Sequence, residues 1–185
     1  MSRHAFNIPN TLAWMRIACA PVLFFLLIER GVFLDRGVHV EWVDYFAVLV
    51  FAFAAITDFF DGYIARKWNM ATTLGEILDP LADKLLVLAA FIGLMLIDRA
   101  NAWVVLLILT REFFITGLRV AAASAGRSVA AGNWGKWKTG LQITAIIFLI
   151  LDWFPGTWLL YGALIITLYS GYEYVRGYAQ AVEAK

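Results

Sequence analysis

The chain has 185 residues, 62% of them hydrophobic and 16% charged, with a formal net charge of +1 and a mean hydropathy of +0.75. A soluble domain is roughly half apolar and about a quarter charged, so this balance points to a bilayer. Near-neutrality excludes the broad basic field used against nucleic acid, and the one cysteine, Cys19, excludes an intrachain disulfide.

The apolar residues fall in continuous runs without the alternation of barrel strands. A bilayer core takes about 20 residues of helix, and six such runs predict an all-α, polytopic integral membrane protein with a single domain over 1–185. The first run, 11–30, follows "MSRHAFNIPN". It loosely resembles a signal peptide. Its length, Arg16 near its start and the lack of a clear small-residue cleavage site predict a retained helix instead. Asn10 and Arg16 stand at its head, either as ligand contacts or as anchors. "ERGVFLDRGVHVEWVD" then reads as a polar loop with a short interfacial piece.

The second helix, 44–64, carries Asp58 and Asp61, three apart and therefore on one face. Gly62 and Ala65 add almost no bulk beside them, which suits either a flat ligand or close helix packing. Arg66, one turn after Gly62, is placed to meet phosphate oxygens. Thr72 offers a hydroxyl in the following loop, and Gly75 removes bulk before the third helix, 80–97. Asp79 followed by Pro80 reads as the start of that helix, and Asp79 and Asp83, four apart, share a face.

The connection between these helices is short, which predicts antiparallel neighbours with the two aspartate pairs facing across a cleft. Four carboxylates so close would raise one another's pKa unless a cation lay between them. Hard divalent cations bind through carboxylates together with substrate phosphates. Solvated charges or helix caps are the plainer alternative, adequate for Asp79 alone, but carboxylates inside membranes are costly and usually functional.

The fourth helix, 102–124, contains Arg111, Glu112 and Arg119. The arginines lie eight apart on roughly one face, and Glu112 is free to pair with a neighbouring cation. "GNWGKWKTGLQ" opens the fifth helix, 138–154, with Lys136 and Lys138, and the sixth spans 157–175. This cationic cluster suits an acceptor that carries its own phosphate. For the two lysines, interfacial anchoring beside Trp134 and Trp137 is the alternative. Six crossings place both termini and the loops near 65–79 and 120–137 on one side, with Arg3, Arg66, Lys67, Arg127, Lys136, Lys138, Arg176 and Lys185. Arg30, Arg36 and Arg99 remain for the other. The positive-inside rule makes the first side, and the aspartates with it, cytoplasmic.

Asp58, Asp61, Gly62, Ala65, Arg66, Gly75, Asp79 and Asp83, at these spacings and with no gap, resemble the signature of the CDP-alcohol phosphatidyltransferases. The resemblance implies six transmembrane helices, with the active site between the second and third at the cytoplasmic side. It implies a CDP-linked lipid donor, usually CDP-diacylglycerol, and Mg²⁺ or Mn²⁺ held by Asp58, Asp61, Asp79 and Asp83. Asp83 would be the general base, Arg66 and Thr72 would hold the donor phosphates, and Gly62, Ala65 and Gly75 would make room for the nucleotide. Members commonly form homodimers, and a bacterial cytoplasmic membrane is the expected location.

"REF…GLR…GKWKT" is similar to members whose acceptor is sn-glycerol 3-phosphate, which implies that Arg111, Arg119, Lys136 and Lys138 hold the acceptor phosphate. "FNIPNTLAWMRIACAPV" resembles the same members, but it is shared with those that make cardiolipin from phosphatidylglycerol, the alternative. Ala13 departs from the pattern, since that position often carries a hydroxyl residue. A divalent-cation or proton-coupled transporter is the reading from another class; it predicts flux through vesicles and no CMP release.

Overall fold

The computed structural model describes the backbone of residues 8–68, 73–124 and 134–183 and, within them, the side chains of 11–57, 81–124, 134–135 and 137–180. The described residues are all-helical: α1 (Ile8–Ile28), α2 (Arg30–Leu34), α3 (Val40–Trp68), α4 (Thr73–Leu96), α5 (Ala102–Ser124), α6 (Trp134–Ile150) and α7 (Pro155–Glu183). Six long helices coincide with the six apolar runs, and the short α2 lies in the polar loop between the first two. Among the described residues, Thr11–Ile28 and Val40–Thr57 are long and apolar enough to cross a bilayer, and α6 holds the shorter apolar stretch Trp137–Ile150.

Several helices run past the ends of their apolar runs, most at the end of α7, which reaches Glu183, and at the start of α4. α4 begins at Thr73, so Asp79 and Pro80 lie inside a helix and do not start one. Hydropathy registers only the part of a helix that meets lipid, whereas the backbone ladder continues beyond it. Pro80 removes the donor to the Glu76 carbonyl and crowds it, an interruption that helices in membranes accommodate through neighbouring helices and local adjustment.

The chain divides into two compact units, Met1–Arg99 with Ile150–Asp152, and Ala100–Leu149 with Trp153–Lys185. In the first, α1 packs on both α3 and α4. Ala13, Arg16, Ala20, Leu23 and Leu27 form the buried stripe of α1, at the three- and four-residue spacing of one helix face. A Cβ on Gly93 would stand 2.7 Å from Leu27 Cδ1, so α1 and α4 pack closely at that glycine, as helices without a hydrophobic drive between them often do.

Leu27 and Gly93 both lie late in their helices. Arg30, just past α1, and Arg99, just past α4, both bond Asp44 near the start of α3. Hence α1 and α4 run parallel, and α3 runs against them. The ends of α3 and α4 that carry residues 58–68 and 73–83 are therefore remote from Asp44. The turn that delivers Arg99 is a Schellman end: its N–H bonds the Leu94 carbonyl at 2.9 Å, and Asp98 takes φ 57°, a conformation aspartate adopts more readily than most residues.

In the second unit α5 packs on α7, and side chains tie α6 to both. Asn101 caps α5, its Oδ1 accepting from the backbone N–H groups of Trp103 and Val104 at 3.0 and 3.3 Å. Arg111 meets Ser170 and Arg119 meets Tyr174; the partners rise together, so α5 and α7 are parallel. Gln142 meets Thr167, while Leu149 meets Gly156, so α6 runs against α7.

Candidate functional site

Asp58, Asp61, Gly62, Ala65 and Arg66 belong to α3, and Gly75, Asp79 and Asp83 to α4. Apart from Asp83, the side chains of these residues lie outside the described residues, as do those of Asn10 and Lys136 and the whole of Thr72. Asp83 is half-buried on α4. Among the described residues no three His, Cys, Asp or Glu side chains gather as a metal site; three of the four signature aspartates are outside that set.

Arg16 adds a residue to this end of the first unit. It is completely buried, on the α1 face turned to α3 and α4. Arg16 lies eleven residues before Leu27, and Ala82 eleven before Gly93. With parallel helices in contact at Leu27 and Gly93, both are about 16 Å back along their axes, so Arg16 is level with Ala82 and Asp83. A guanidinium this deep needs charge partners and hydrogen bonds, which an interfacial anchor would not.

At the other end of the unit, Asp44 is 5% exposed and accepts from two arginines, Arg30 at 2.6 Å on Oδ1 and Arg99 at 2.7 Å on Oδ2. Arg99 also donates to the Ile150 carbonyl and lies 3.6 Å from the exposed Asp152 carboxylate. Burial draws Arg30 below the ordinary guanidinium value, with Asp44 opposing. Two cations here meet two anions.

A second ionic network lies in the other unit. The Glu112 Oε1 accepts from Lys138 Nζ at 2.5 Å, Arg111 at 3.3 Å and Gln142 Nε2 at 3.4 Å. Gln142 also donates to Thr167 Oγ1 at 3.0 Å, and Arg111 to Ser170 Oγ at 2.9 Å. Lys138, Gln142, Thr167 and Ser170 are all buried. Gly171 forms the floor beneath Arg111, since a Cβ there would stand 2.9 Å from Arg111 Nε. Arg119 is more exposed and lies 5.7 Å from the Tyr174 ring centroid.

The structure thus brings Arg111 and Lys138 together on one carboxylate and sets Arg119 further along the same α5–α7 seam. Sequence reasoning missed Asp44, Gln142, Thr167, Ser170 and Tyr174. Each is a lone polar or amphipathic residue in or at an apolar run, a signal visible only when such residues are asked for a partner.

The family model of the CDP-alcohol phosphatidyltransferases matches residues 6–169. The chain belongs to the CDP-alcohol phosphatidyltransferase family. Among similar members, a Bacillus subtilis protein named CDP-diacylglycerol–glycerol-3-phosphate 3-phosphatidyltransferase is 42% identical over 91% of this chain and 93% of its own. An Escherichia coli K12 protein of the same name is 37% identical over 92% and 93%. The match to the phosphatidyltransferase family covers both the α3–α4 aspartates and most of the polar seam of the second unit.

Proposed function

We propose that the chain transfers the phosphatidyl group of CDP-diacylglycerol to sn-glycerol 3-phosphate, giving phosphatidylglycerophosphate and CMP. The relatives named for this reaction align over nine-tenths of the chain. The observation that carries the acceptor assignment is the pair of cations, half-buried Arg111 and buried Lys138, held by one carboxylate inside otherwise apolar helices. A small acceptor with its own phosphate needs such donors, and a neutral alcohol does not.

The carboxylates Asp58, Asp61, Asp79 and Asp83 are hard oxygen donors that fit Mg²⁺ or Mn²⁺. Bound there, the metal would neutralise the donor pyrophosphate. Arg66 and Thr72 hold the donor phosphates, Gly62, Ala65 and Gly75 leave space for the nucleotide, and Asn10 contacts the donor head. Arg111, Arg119, Lys136 and Lys138 orient the acceptor phosphate. The acceptor hydroxyl attacks the phosphorus bearing the diacylglycerol and gives its proton to the Asp83 carboxylate. A new P–O bond forms as the P–O bond to CMP breaks.

In this reading residues 1–185 are one catalytic domain with six crossings, both termini and the active site cytoplasmic, in a bacterial cytoplasmic membrane, assembled as a homodimer. The alternation of helix directions within each unit supports those crossings. The test is CMP release by purified protein with CDP-diacylglycerol and Mg²⁺, comparing glycerol 3-phosphate with phosphatidylglycerol. Release that depends on glycerol 3-phosphate is expected; release with phosphatidylglycerol alone overturns the acceptor. Asp83→Asn should abolish turnover and retain CDP-lipid binding, and normal turnover in that variant removes Asp83 as the base.

A further inference from the structure

Tyr174 is 7% exposed, and its hydroxyl is buried with no hydrogen-bond partner among the described residues. Buried tyrosines normally place the O–H on an acceptor, because leaving it unmet forfeits its hydration without return. Two observations say where this phenol belongs. On α7, Ser170 and Gly171 lie four and three residues before Tyr174, so the face that bonds and floors Arg111 also presents Tyr174 one turn later. On α5, Arg119 lies over the Tyr174 ring at 5.7 Å, two turns beyond Arg111. Arg111 Nε, on the same seam, is also unmet among the described residues, as Arg30 Nε is in the other unit, so the phenol is the distinguishing group. A buried phenol O–H without a described acceptor, beside the Arg119 cation on one helix pair, fits an oxygen of an anion.

We propose that the Tyr174 hydroxyl is an acceptor-binding group, donating a hydrogen bond to a phosphate oxygen of the acceptor beside Arg119. The inference rests on the assignment of the seam to the acceptor phosphate. A phenol suits the role because it adds a donor without adding charge to a site already rich in cations. It also fixes direction, since its ring is rigid and its only donor lies at the tip. The ring serves a separate purpose as the platform for Arg119, which phenylalanine would preserve.

The test compares wild type with Tyr174→Phe in the CMP-release assay and by thermal unfolding in detergent. Losing one hydrogen bond to a charged phosphate should raise the KM for glycerol 3-phosphate about tenfold, with the KM for CDP-diacylglycerol unchanged. The unfolding midpoint without acceptor should stay level or rise, since no bond present in the free protein is lost, while the stabilisation by added glycerol 3-phosphate shrinks. An unchanged acceptor KM in an active variant overturns the inference alone. A lowered midpoint with both KM values raised overturns it too, by making Tyr174 a packing residue. If wild type releases no CMP with glycerol 3-phosphate, the acceptor assignment falls and this inference falls with it.

Discussion

The molecule contains two buried ionic networks, and they differ in what they leave over. Around Asp44, two arginines meet two carboxylates among the described residues, the central carboxylate is shared across both of its oxygens, and only a guanidinium N–H, Arg30 Nε, is left without an acceptor there. Around Glu112, among the described residues, one carboxylate meets Arg111 and Lys138, with Arg119 further along, and the Tyr174 hydroxyl on the same seam has no acceptor. A balanced network in apolar helices fixes geometry. In the proposed function the Glu112 network would receive the acceptor phosphate, whose charge would offset the burial of its cations.

The sharpest way to break the comparison is Asp44→Ala. It leaves two buried guanidinium groups facing each other, which should cost about 3–5 kcal/mol of stability, seen as a lowered unfolding midpoint with the acceptor KM of the remaining folded enzyme unchanged. A selective rise in acceptor KM would instead make Asp44 part of the acceptor site. Lys138→Met should raise the KM for glycerol 3-phosphate about tenfold to a hundredfold, the value of a charge-assisted hydrogen bond, and change the donor KM little. If it only lowers the midpoint, the second network is structural like the first.

Gly171→Ala is a finer probe. The added methyl must displace Arg111, and overpacking of this kind costs about 1–3 kcal/mol. The acceptor KM should rise several-fold with Ser170→Ala giving a smaller change, and equal effects would dissociate the glycine from the arginine. Asp152→Ala should do least, no more than about 1 kcal/mol, because its carboxylate is exposed and bridges Arg99 only at long range.

Much of this was legible in the sequence, for identifiable reasons. The long helices show as continuous apolar runs, and the aspartates announce themselves by falling where leucine belongs. Glu112 could be anticipated as a partner for a neighbouring cation because it lies beside Arg111 within an apolar run. Asp44 could not. Its partner Arg99 is 55 residues away, and hydropathy sees Asp44 merely as the edge of a run. The start of α4 was hidden by Pro80, whose local preference for a first turn says nothing of hydrogen bonds formed upstream. Tyr174 was hidden by its own ambivalence, since an aromatic in a membrane helix reads as packing until its hydroxyl is found without a bond.

The Asp44 clasp also has a mechanical side. It joins the ends of α1 and α4 to the start of α3, and any change of tilt about that joint grows with distance along the helices. Asp61 lies about 25 Å along α3 from the pivot, so a splay of only ~5° would part the far tips by ~2 Å. If the aspartates hold the donor headgroup as proposed, a small change of tilt at the arginines would become clearance where that bulky group enters and leaves.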